Sequence, residues 1–169
     1  MRNNTNHLKI IREFFPEEPR NSIFYLLGEL TDNIDQHSKY TVGSIMVQFY
    51  KGKGFIDIGV LDNGLTIPGV YEKNKIEFSD DENALSKALR GISTKEGEVG
   101  RGKGLETSKK LIIEGLDGDL YIISRKGIYV NKNKEKPTTK KTDHPSKGTL
   151  VYTRFKLPKK DLNIYDYVE

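Results

Sequence analysis

Three short stretches carry side chains that could act on a ligand. In the first, Glu29, Asn33 and His37 recur at i, i+4 and i+8, so on a helix they share one edge. At about 100° per residue, that edge flanks the apolar stripe of Ile23, Leu26, Leu27, Leu30 and Ile34 rather than opposing it. Glu29 and Asn33 therefore belong at the rim of a buried face. There an amide oxygen can ligate a hard cation such as Mg²⁺, and a carboxylate can take a proton from an attacking nucleophile. An amphipathic helix with an ordinary polar rim accounts for the same spacing. His37 reads as a helix-end residue.

The second stretch is Asp62-Asn63-Gly64. Asp62 ends an alternating strand on the face of Ile56, Ile58 and Val60, so a face that should be apolar finishes in a carboxylate. Burying it is costly unless something donates to it. The exocyclic amine of a purine would serve, because a carboxylate only accepts. Gly64 allows a positive φ or the close approach of a ligand. A plain Asp-Asn-Gly turn after a strand looks the same.

The third stretch runs from Gly97 through Gly100, Arg101, Gly102, Lys103 and Gly104 to Leu105 and opens a helix. Backbone N–H groups there can cradle phosphate, with Lys95, Arg101 and Lys103 as cations nearby. Neither familiar phosphate template fits. Gly97 to Lys103 matches the P-loop spacing, but Gly104 replaces the hydroxyl residue that would hold Mg²⁺. The dinucleotide pattern fails because its third glycine comes one residue too early.

The elements that must position these residues follow from periodicity. Helices are expected over 20–38, 82–90 and 105–115, with a shorter one over 5–14. Strands are expected over 44–50, 55–62, 119–125, 127–131 and 148–156, the first two joined by a hairpin at Lys51–Gly54. Residues 63–81 read as irregular, and the tail Pro158–Glu169 offers apolar groups for docking. Strands in hairpins with helices between them predict a two-layer α/β sandwich: a mixed, mostly antiparallel sheet with helices on one face.

A chain of 169 residues fits one domain, here 1–169. With no cysteine, it has neither a disulfide framework nor a thiolate zinc site, which suits a reducing, cytoplasmic setting. No apolar run reaches the roughly 20 residues of a membrane span. The pI of about 9.0 has a local origin. Residues 131–147 hold six lysines against two acids, which leaves 22 basic and 22 acidic residues elsewhere. That stretch reads as a flexible, solvated basic loop inserted in a hairpin, not as a nucleic-acid grip.

Taken together, the three stretches resemble the GHKL (histidine kinase-like) ATPase domain, found in histidine kinases, anti-sigma serine kinases, type II topoisomerases, Hsp90 chaperones and MutL proteins. Glu29-Leu-Thr-Asp-Asn33 looks like its N box, Asp62-Asn63-Gly64 like its G1 box, and Gly100-Arg101-Gly102-Lys103-Gly104-Leu105 like its G2 box. Gly148-Thr149 resembles its closing motif. The likeness spans residues 20–157. One departure is Thr66, which stands where the second G1 glycine belongs; Gly69 is the residue that could take over its freedom.

The resemblance implies a Bergerat-type fold and ATP with Mg²⁺ as cofactors. It implies that Asp62 and Thr149 read adenine, with Gly64 and Thr66 beside the nucleotide. Asn33 would hold Mg²⁺, and Glu29 would activate water or a partner hydroxyl. Gly100, Arg101, Gly102, Lys103, Gly104 and Leu105 would border the phosphates, and Arg90–Lys95 would form an ATP lid. With the Glu29 helix starting near residue 20, no phosphoacceptor helix pair or transducer domain is expected. The closest kind is a stand-alone anti-sigma serine-kinase-like module that hydrolyses ATP or phosphorylates a regulatory partner, with a homodimer left open. The alternative is a non-catalytic sensor whose lid controls partner binding.

Overall fold

The computed structural model describes residues 20–92, 104–133 and 135–167. The first helix, α1 (Arg20–His37), forms on its apolar stripe, with Ile23, Leu26, Leu27 and Leu30 all buried. Each such side chain stabilises by roughly 1.5–3 kcal/mol when fully buried. That outweighs the weaker helix preference of Thr31, Asp32 and Asn33. The helix start is held by the far end of the chain. The Asp161 carboxylate accepts the N–H groups of Asn21 and Ser22 at 3.0 and 3.3 Å. Ser22 Oγ in turn accepts the Leu162 N–H at 2.9 Å. The tail therefore docks, with Leu162 and Tyr167 packed against the core.

Six strands follow: β1 (Gly43–Tyr50), β2 (Phe55–Asp62), β3 (Asp119–Ser124), β4 (Gly127–Lys132), β5 (Thr138–Lys141) and β6 (Thr149–Lys156). They form one open sheet in the order β1-β2-β6-β3-β4-β5. All described pairings are antiparallel. The sheet is thus more uniform than the mixed one expected. Alternation puts Ile56, Ile58, Val60, Leu120, Ile122 and Phe155 on the inner face, where they form one core with α1 and with Leu85, Leu111 and Ile112 of shorter helical segments. This is a two-layer α/β sandwich. No described helix is long and apolar enough to cross a membrane.

Two segments depart from expectation. Within 63–81 lies a helix, α2 (Ile67–Lys73), started by Thr66 as N-cap with Pro68 in its first turn. Seven residues are too few for a helical period to show. Within 131–147 lies β5, an edge strand paired with β4 from Gly127↔Lys141 to Val130↔Thr138. A mostly exposed edge strand needs no apolar alternation, so Thr-Thr-Lys-Lys reads as loop. The remaining helices are α3 (Asp81–Ala88) and α4 (Gly104–Lys110), the latter continued by a π-turn over Leu111–Gly115. The segment read as a short helix over 5–14 lies outside the described residues.

Candidate functional site

A cleft of about 120 Å³ lies between the C-terminal half of α1, the ends of β2 and β6, and the three shorter helices. Ile34, Val60, Leu65, Val70, Leu105 and Val151 give it apolar walls, and Asn33, Asp62 and Thr149 are polar groups in its lining.

Asp62 is only 2% exposed. Its Oδ1 accepts the Gly64 N–H at 2.7 Å. Burial pushes its carboxyl above the ordinary carboxylate range, against the pull of the Gly64 and Thr149 N–H groups and the Ser38 hydroxyl. The surrounding glycines fit this floor tightly. A Cβ on Gly64 would stand 2.2 Å from the Ser38 carbonyl oxygen, and Gly64 is not among the positive-φ residues. The contact that requires a glycine there is with the Ser38 backbone. Gly148, at φ +84, would place a Cβ 2.0 Å from the Asp62 carbonyl oxygen. Only glycine satisfies both conditions there.

Glu29 and Asn33 meet the start of α4. The ideal Cβ position on Gly104 lies 2.8 Å from Glu29 Oε2 and 3.1 Å from Asn33 Oδ1. Asn33 Nδ2 donates to the Glu29 carbonyl at 2.8 Å, which fixes the amide and leaves Oδ1 as its acceptor. Burial raises the Glu29 carboxyl above its ordinary value, opposed by a hydrogen bond from Tyr25, with the Asp32 charge adding to the rise. The Tyr25 phenol is itself pushed up to about 12, by burial first and Glu29 second. Tyr25 is one turn before Glu29 on the same edge, at the i, i+4 spacing that marks it in the sequence.

Thr66 serves the fold of the wall. Its backbone is extended (φ −71, ψ 162) and its Oγ1 accepts the Gly69 N–H at 3.1 Å. A glycine is not needed at 66, and Gly69, inside α2, supplies no left-handed conformation. Thr149 lies against Ser124, Oγ to Oγ1 at 2.8 Å, and Ser124 Oγ accepts the Ile67 N–H at 2.8 Å. The hydroxyls thereby tie β3, β6 and α2 together. Ser124 was legible only as a polar residue at the end of the alternating set Leu120, Ile122, Ser124.

Arg125 was not legible at all. It adopts φ 54 in the β3–β4 turn and donates to Glu72 at 2.6 Å and to both Asp81 oxygens. This joins α2 and α3 into one wall. The same guanidinium holds the Asp81 carboxyl below the usual range. Tyr71, on α2, donates its hydroxyl to the Ile92 carbonyl, fixing the described chain just before residue 93.

Asn33, Asp62, Leu105 and Thr149 thus line one cleft; Glu29 and Gly104 meet Asn33 beside it, Gly64 is bonded to Asp62, and Thr66 caps the helix in its wall. Gly100, Arg101, Gly102 and Lys103 lie outside the described residues, as does Lys95. Among the described residues, no group of three or more His, Asp or Glu side chains forms a metal cluster. A cation there would take one or two protein oxygens, which suits Mg²⁺ held largely by phosphate and water. No protein-family model and no curated protein matches the chain.

Proposed function

We propose that the cleft binds ATP with Mg²⁺, and that the chain is a GHKL-type module that hydrolyses ATP or phosphorylates a partner protein. The observation that carries this reading is the buried Asp62 in an apolar cleft. Its carboxylate accepts the Gly64 N–H, and the other groups that draw its pKa down, the Thr149 N–H and the Ser38 hydroxyl, are uncharged. An acceptor in that setting is complementary to the exocyclic amine of adenine and mismatched with the corresponding carbonyl of guanine. Ser38 and Thr149 are further polar groups in the lining.

Asn33 Oδ1 is the candidate cation ligand and Glu29 the candidate base. A carboxyl raised by burial is nearer to the working pH, where a general base is most efficient. Mg²⁺, when bound, neutralises phosphate charge. Asn33 would orient it, and Glu29 would orient water or a partner hydroxyl and hold its proton. Gly100, Arg101, Gly102 and Lys103 are assigned to the phosphates on sequence pattern alone. Gly104 and Leu105 bring the end of that stretch to Glu29 and Asn33.

The test is calorimetric titration with ATP, ADP and GTP, with and without Mg²⁺. Binding of ATP at least tenfold tighter than GTP, strengthened by Mg²⁺, is expected. Equal binding of the two purines, or none, would sink the assignment. Phosphate release or partner labelling then separates a working enzyme from a sensor.

A further inference from the structure

The two edges of the sheet are built differently. β5 is four residues long, carries Lys140 and Lys141, and follows Pro137. Short length, lysine and a nearby proline are how proteins keep an edge from recruiting another strand. β1 has none of these. It is eight residues long, it pairs with β2 without a bulge, and Thr41–Tyr50 contains no charged residue and no proline. No described strand lies on its outer side. Val42, Ile45 and Met46 are 59%, 42% and 55% exposed.

The backbone direction along β1 can be assigned. The Asn63 N–H bonds the Val42 carbonyl, and Gly54 and Lys53 bond the Tyr50 carbonyl, so even-numbered residues point toward β2. Alternation then turns the N–H and C=O groups of Ile45 and Val47 outward from the sheet.

We infer that β1 is the interface of a two-fold homodimer, pairing antiparallel with β1 of a second copy about an axis at Met46. The residue pattern favours a second copy over a foreign peptide, because the five central residues, Ser44–Gln48, are symmetric in kind about that position. Ile45 falls opposite Val47 of the second copy, and Ser44 opposite Gln48, so β-branched meets β-branched and polar meets polar. Shifting the axis to Ile45 would oppose Met46 to Ser44 and Val47 to Gly43. The central pairs exchange four backbone hydrogen bonds. The chain carries a net charge of +4, yet this strand brings no like charges face to face. Two sheets become one, joined through the unguarded edge, with the lysine-bearing edges outermost.

The chain has no cysteine, so a single introduced thiol is an unambiguous probe. Met46 sits on the open face over Gly59, 3.5 Å from its ideal Cβ position, and its replacement leaves the core intact. Facing residues of a non-hydrogen-bonded antiparallel pair have Cα atoms about 4.5 Å apart, within disulfide range. Met46→Cys should therefore cross-link to a covalent dimer under mild oxidation. Ser44→Cys should not, since its thiols would stand roughly 14 Å apart.

Sedimentation equilibrium of the parent chain should give twice 19.3 kDa. Met46→Lys, folded by circular dichroism, should weaken the dimer by roughly tenfold or more, because it opposes two ammonium groups. A parent chain that stays monomeric at all soluble concentrations overturns the inference, including one whose edge is taken by a foreign peptide or by its own residues 1–19. So does a dimer that Met46→Lys leaves intact, or one in which Ser44→Cys and Met46→Cys cross-link equally.

Discussion

Replacing Asp62 with asparagine should separate stability from ligand binding. The side chain is 2% exposed, and burial raises its carboxyl above the unfolded value. A carboxylate with a raised folded pKa makes the free protein less stable as pH rises from the unfolded value through the folded one. The amide of Asp62→Asn would remove that ionisation and can keep its oxygen on the Gly64 N–H. The Thr149 N–H loses an acceptor, which partly offsets the gain. At neutral pH the ligand-free mutant should therefore melt no lower than the parent, within about 4 °C, equivalent to roughly 1–2 kcal/mol in a domain of this size.

Binding should move the other way. An amide donor turned toward the purine amine leaves a mismatch of about 1–3 kcal/mol, or roughly 5- to 150-fold in Kd. At ATP concentrations near 100 times the parent Kd, ligand stabilisation is about 2.7 kcal/mol. A hundredfold loss reduces it to about 0.4 kcal/mol, so most of the ATP-induced rise in Tm disappears. Differential scanning fluorimetry with and without ATP reads both quantities in one experiment. An unchanged ATP shift in a folded mutant would refute the adenine assignment. A large fall in the ligand-free Tm would refute the claim that this carboxylate is there at a cost to the fold.

Gly148→Ala should destabilise by more than about 2 kcal/mol, since it combines left-handed strain with a clash against immovable backbone; chemical denaturation measures it. Glu29→Ala should retain ATP in calorimetry yet lose phosphate release or partner labelling by about 10²- to 10⁴-fold. Asn33→Ala should weaken ATP binding only when Mg²⁺ is present, and equal weakening without Mg²⁺ would count against a metal ligand. The Arg154 guanidinium, at 2.6 Å, holds the Asp57 carboxyl below its ordinary value, so that pair stabilises above about pH 4 and is lost as pH falls through the folded pKa. The stability gap between the parent and Asp57→Asn in urea titrations should accordingly narrow toward acid pH.

Much of the site could be read along the chain because its members depend on local periodicity. The edge carrying Glu29 and Asn33 is a property of 3.6 residues per turn, and Asp62 on the face of Ile56, Ile58 and Val60 is a property of a period of two. Burial then followed from hydrophobic patterning alone. Contacts between elements distant in sequence leave no periodic trace. Arg125 reaching Asp81 and Glu72, Ser124 linking Thr149 to Ile67, and Asp161 capping α1 each join residues more than twenty positions apart. Their partners are chosen by how the layers stack. The same holds for Gly64 and Gly148, whose type is legible in the sequence but whose reason is not. It is the Ser38 carbonyl against one and the Asp62 carbonyl against the other. Nor could β5 be foreseen, because an edge strand is defined by its neighbour β4 and its four residues need no pattern of their own. Periodicity, a local property, thus decided which side chains face inward. Packing, a non-local one, decided that Asn33, Asp62 and Thr149 line the same cleft and that Gly104 meets Glu29 and Asn33 beside it.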